Sequence, residues 1–85
     1  MGKYDKLILK ILRGSSDANI RFDDLRELLK KLGFEERTRG SHHVFRKEGV
    51  EEKVNLQSDS AKAKPYQVRQ VRSILVKYRL SGEQE

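Results

Sequence analysis

The stretch Arg39-Gly40-Ser41-His42-His43-Val44-Phe45 places two imidazoles beside a glycine, a hydroxyl and a guanidinium. An imidazole titrates close enough to neutral pH to take the proton of a sugar 2′-hydroxyl, so that the oxygen attacks the neighbouring phosphorus and RNA is cut without a metal. DNA lacks that hydroxyl, so the chemistry selects RNA. Cations near the phosphate stabilise the extra charge of the transition state, and Arg39, Arg46, Lys62 and Lys64 are the candidates, with Arg69 as a further RNA contact. Gly40 permits close backbone approach, and Ser41 has a hydroxyl to donate to a phosphate oxygen. On residue types alone, adjacent histidines on a strand are more often structural than catalytic.

These residues need a scaffold, and the hydrophobic spacing describes one. Tyr4, Leu7, Ile8, Ile11 and Leu12 recur on one helical face, ahead of the turn-forming Gly14-Ser15-Ser16. A second helical stripe is Phe22, Leu25, Leu28, Leu29 and Leu32, with Asp23 and Asp24 in the first turn, Lys30 and Lys31 in the last, and Gly33 as the stop. Ser15 to Arg21 reads as a loop, and Arg21 is a poor N-cap. The helical period then ends. Phe34 to Arg39, His42 to Lys47 and Glu51 to Leu56 read as three short strands separated by Gly40 and by Glu48-Gly49. Val54 and Leu56 alternate with Lys53 and Asn55, the pattern of a sheet with one wet face. If Phe45 faces the core, His43 shares its side while His42, Val44 and Arg46 point away, unless a bulge at Gly40-Ser41 inverts the parity. Gln57 to Lys64 reads as a polar loop. Pro65 then opens a last helix with Val68, Val71, Ile74, Leu75 and Tyr78 along its apolar face. Tyr66 and Tyr78 read as partial core, and Ser81 to Glu85 as a frayed tail.

The order is helix, helix, strand, strand, strand, helix: an α+β class with helices on one sheet face and the other face free. With 85 residues the chain is a single domain, comprising an N-terminal helical extension over 1–14, a core over 20–80 and a tail over 81–85. Without cysteine there is neither a disulfide nor a Cys-ligated zinc site, and no metal or other cofactor is needed to explain the fold. No apolar run reaches bilayer length, and Lys6 and Lys10 interrupt the first helix, so neither a membrane span nor a signal peptide is expected and the expected location is cytoplasmic. The net charge of +6 points to an acidic partner, of which nucleic acid is the commonest. Arg37 to Lys47 and Lys62 to Leu80 each hold several basic residues and no acidic one.

From Phe22 to Leu80 the sequence resembles the HicA-type mRNA interferase toxins. The similarity rests on Gly40, Ser41, His42 and Phe45, on the junction Leu32-Gly33-Phe34, and on Gln70-Val71-Arg72-Ser73-Ile74-Leu75 in the last helix. The resemblance implies a fold like that of a double-stranded-RNA-binding domain. It also implies an mRNA endoribonuclease with His42 as its catalytic residue, and a cognate HicB-type antitoxin as partner. His43 keeps its reading as a packing or hydrogen-bonding residue. An apolar-Pro-x-His element frequent on the family's third strand is absent here, where Asn55-Leu56-Gln57-Ser58 stands in its place. Two other functions fit the same charge and topology: a non-enzymatic double-stranded-RNA-binding module, and a protein adaptor whose basic face meets an acidic partner.

Overall fold

The computed structural model describes residues 2–80; the tail expected at Ser81 to Glu85 lies outside the described residues. The elements are α1 (Lys3–Arg13), a short 3-10 turn (Asp17–Asn19), α2 (Phe22–Lys31), β1 (Glu35–Arg39), β2 (His42–Lys47), β3 (Val50–Gln57) and α3 (Pro65–Lys77). The order and the α+β class are those expected.

Each helix forms because its apolar residues recur on one side and find a common surface to bury. Ile8 and Ile11 of α1, Phe22, Leu25, Leu28 and Leu29 of α2, and Val68, Val71, Ile74 and Leu75 of α3 form one core with Phe45, Val54 and Leu56 of the sheet. Arg21 does stand at the N-cap of α2 and supplies no side-chain cap. The first amide of that helix, on Phe22, donates instead to the Ala61 carbonyl at 2.9 Å, tying α2 to the segment before α3. At the other end Gly33 takes φ +102°, which lets the Phe34 amide reach back to the Leu29 carbonyl at 3.0 Å. A Cβ at Gly33 would stand 2.7 Å from Lys47 Nζ.

Buried Gln67 secures the start of α3. Its Oε1 accepts from the Lys64 amide at 3.2 Å, and its Nε2 donates to the Gln57 carbonyl at 3.4 Å, so α3 is fixed to the end of β3. Arg72 secures the other layer. Its guanidinium makes a two-pronged bond to Asp17 at 2.9 and 3.1 Å, and Nη1 also donates to the Ile11 carbonyl at the end of α1.

The sheet is an antiparallel meander in the order β1-β2-β3. Its irregularity falls between Phe45 and Lys47, beyond the histidines and not at Gly40-Ser41, so the alternation from His42 to Phe45 is unbroken. Phe45, Val54 and Leu56 point at the helices and are fully buried, whereas the opposite side of the sheet has no helix on it. No helix among the described residues is long and apolar enough to cross a membrane.

Candidate nucleic-acid interface

Strand pairing turns the sequence alternation into a two-dimensional array. His42 pairs with Arg39 on β1 and Gln57 on β3, Val44 pairs with Arg37 and Asn55, and Arg46 pairs with Glu35. Residues paired across strands share a face, so these side chains lie together on the side without helices. Lys53 joins them: Arg37, Arg39, Val44, Arg46 and Lys53 line one shallow groove of about 620 Å³. His42 is exposed in this array, and no side-chain bond holds it among the described residues. Gly40, with φ +61°, makes the tight turn between β1 and β2 beside it. The Ser41 carbonyl accepts from the Ser58 amide at 3.0 Å, and its hydroxyl makes no bond among the described residues.

The candidate residues therefore fall into two groups. Arg39, Gly40, Ser41, His42 and Arg46 are brought together on the uncovered face and its hairpin. Lys62, Lys64 and Arg69 are on the β3–α3 segment and α3, among groups of the helical layer. Lys62 donates to Asn19 at 3.3 Å, and Lys64 is paired with Asp59 at 2.7 Å. Arg69 is close enough to Asp17 for its charge to help, together with the stronger bond from Arg72, to hold that carboxyl below its ordinary range. Arg37 and Lys53 are two cations of the face that residue types alone did not single out. β1 contains no apolar residue to reveal its inward side, and only its pairing with Val44 shows where Arg37 points.

His43 faces the helices, as the parity reading required. Its side chain is 12% exposed, its ring meets Phe22 edge-on at 5.2 Å, and its Nδ1 lies 2.7 Å from Glu36 Oε2. That same oxygen accepts from Arg26 Nε at 2.6 Å, and Lys30 stands 3.8 Å from the other. The Glu36 carboxyl is pulled down to about 2, first by the bond from Arg26 and then by that from His43, against the opposing effect of burial. A carboxylate whose folded value lies below its ordinary 4.5 stabilises the fold above that pH and loses this contribution as pH falls toward 2. With its side chain only 7% exposed, the contribution is on the order of 3 kcal/mol. We expect the stability gap between wild type and Glu36→Gln, measured by urea unfolding, to be widest above about pH 5 and to close as the medium is acidified. A gap that stays constant down to about pH 2 would show that Glu36 is not ionised in this network.

Among the described residues no three His, Cys, Asp or Glu side chains cluster in a way that could hold a metal ion. The class defined by these features is a small α+β domain with helices on one side of a three-stranded sheet and an uncovered cationic face carrying one free imidazole. Over residues 22–77, from the start of α2 to the end of α3, the chain matches the family model of the HicA toxin of bacterial toxin–antitoxin systems, and it belongs to that family. Membership implies a cognate antitoxin. No curated protein and no solved structure matches the chain.

Proposed function

We propose that the protein is a metal-independent endoribonuclease toxin that cuts mRNA and is held inactive by an HicB-type antitoxin covering its basic face, with the cytoplasm as its place of action. The observation that carries this reading is the exposed imidazole of His42, paired with Arg39 in a cationic array with no helix over it. His42 takes the proton of a 2′-hydroxyl, the freed oxygen bonds to the adjacent phosphorus, and the bond to the 5′ oxygen breaks to leave a 2′,3′-cyclic phosphate. The 5′ oxygen leaves with a proton supplied by solvent, because His43 points through the sheet and cannot share the same phosphate. Arg39, Arg37 and Arg46 oppose the charge that builds on the phosphoryl oxygens. Ser41 and the Gly40 turn bring hydroxyl and backbone close to the strand. Lys62, Lys64 and Arg69 extend the binding surface to RNA that runs beyond the sheet.

The test is incubation of single-stranded RNA with the purified chain in the presence of chelator. Fragments ending in cyclic phosphate are expected, and intact RNA at stoichiometric protein would remove the enzyme claim. Binding carries its own signature. Removing one cation that neutralises a phosphate of a single strand lowers the slope of log K against log salt by about 0.7. Arg37→Gln and Arg39→Gln are each expected to weaken RNA binding and to flatten the slope by about that amount. Lys3→Gln, on the first turn of α1, should leave the slope as it is.

A further inference from the structure

The bonds around His43 exceed what packing requires. Glu36 and Thr38 Oγ1, at 2.7 and 3.3 Å, both address Nδ1, and the ring is braced on Phe22. Glu36 is itself fixed by Arg26, so the imidazole is oriented by a carboxylate that cannot swing away. The other ring nitrogen, Nε2, bonds to nothing among the described residues. Nor is any side-chain nitrogen or oxygen among them both sealed from solvent and unpartnered, so Nε2 must be reached by solvent. His43 lines a cleft of about 290 Å³ together with Arg21, Asp23, Arg26, Ser58 and Ser60.

The chemistry of that lining selects a ligand. Arg21 makes no ion pair among the described residues, and Arg26 spends only its Nε on Glu36, leaving its terminal nitrogens as donors. The two serine hydroxyls are engaged, Ser58 Oγ on the Ser41 carbonyl at 3.4 Å and Ser60 Oγ on the Lys62 carbonyl at 2.9 Å, so the guanidiniums are the free donors. Two guanidiniums lining one cleft suit an oxyanion. The volume, near the lower end for small-ligand clefts, leaves room for more than a bare anion and suits a phosphate with part of its sugar. Asp23 is the one group on the rim that opposes such a ligand.

The cleft also adjoins the candidate catalytic face. Gln57 pairs with His42, and the next residue, Ser58, bonds to the Ser41 carbonyl, so both sites open at the same end of the sheet on opposite sides. We propose that this cleft is a phosphate subsite for the RNA nucleotide neighbouring the one presented to His42, with Arg21 and Arg26 as its anion contacts and the His43 ring in its wall. The strand thus bends round the Gly40-Ser41 end, past the wall that His43 forms. This rests on the ribonuclease reading for the identity of the polymer, and the experiment separates the two.

Full-length protein labelled with nitrogen-15 is titrated with an uncleavable 2′-O-methyl RNA tetranucleotide while the histidine ring nitrogens and backbone amides are followed. Saturable shifts are expected at His43 Nε2 and at the Ser58 and Ser60 amides, together with shifts at His42. Two exposed substitutions that leave the His43 network intact give opposite signs. Arg21→Gln is expected to weaken binding roughly tenfold, the effect of removing one charge-assisted bond. Asp23→Asn is expected to tighten it roughly two- to fivefold. Shifts confined to His42 and the groove face, with both variants neutral, would overturn the subsite and leave the ribonuclease reading standing. An absence of shifts on both faces would overturn both. A parallel titration with inorganic phosphate distinguishes a strand's phosphate from a free one. Phosphate alone saturating the His43 shifts where the tetranucleotide does not would likewise overturn the proposal.

Discussion

Replacing His42 with Ala is expected to lower RNA cleavage by roughly a hundredfold to ten-thousandfold, the range removed when a positioned general base is taken away. Affinity for uncleavable RNA should stay within about twofold, because the phosphate attraction comes from Arg37, Arg39, Arg46 and Lys53 and not from this ring. Stability should change by less than about 0.5 kcal/mol, as is usual for an exposed side chain without partners. The separation of these three readouts makes the experiment decisive. A binding module or a protein adaptor gives no cleavage in wild type and so no decrease in the variant. A structural role gives a lower melting temperature along with any decline in activity. If growth arrest follows expression of the wild type and persists with His42→Ala, the catalytic role falls. His43→Ala is the instructive contrast, because it strips one bond from Glu36 and leaves a gap beside Phe22, so a drop in stability should accompany any change in rate.

The face on which each histidine lies was legible because Phe45 is a strong anchor: one large apolar residue on a short strand sets the parity of its neighbours. The same logic worked on β3, where Val54 and Leu56 are buried and Lys53 and Asn55 are exposed. It had nothing to work on in β1, Glu35-Glu36-Arg37-Thr38-Arg39, where the inward position is filled by a carboxylate. Glu36 is tolerated there because Arg26, Lys30 and His43 surround it, and those partners come from two other elements. Nothing local in the sequence announces such a cluster. Lys62, Lys64 and Arg69 illustrate the complementary difficulty. A run of positive residues shows that a segment is basic, but the path of the β3–α3 segment decides which face it serves. Here that path is set by the Ala63 amide bonding to the Ile20 carbonyl at 2.8 Å and by the Arg21–Lys62 bridge. The cleft at His43 needs α2, β2 and the same segment at once, and was out of reach for that reason.

Ile11→Ala is expected to destabilise the protein by about 2–5 kcal/mol, the range for truncating a buried Ile. In a domain of this size each kcal/mol shifts the melting temperature by roughly 4–8 °C, so a drop of about 10 °C or more should appear in a thermal scan. The matched family region begins only at Phe22, so the resemblance gives α1 no role and leaves it as an extension to a core over 20–80. Its placement makes it a working part of the single core: Ile11 is 0% exposed and sits with Leu25, Val68, Val71 and Leu75 in one buried cluster. Arg72 adds a polar clasp by joining the Ile11 carbonyl and Asp17 through one guanidinium. That residue belongs to α3, so the helix that the family shares is wired to the one preceding the match. An appendage would behave otherwise: Ile11→Ala would then cost less than about 0.5 kcal/mol, as a peripheral substitution does. A small chain has little apolar surface to spare, and recruiting α1 lets one sheet face stay bare of helices without starving the core. On this view the uncovered cationic face depends on the N-terminal helix, since without α1 the apolar stripe of α3 would itself need covering.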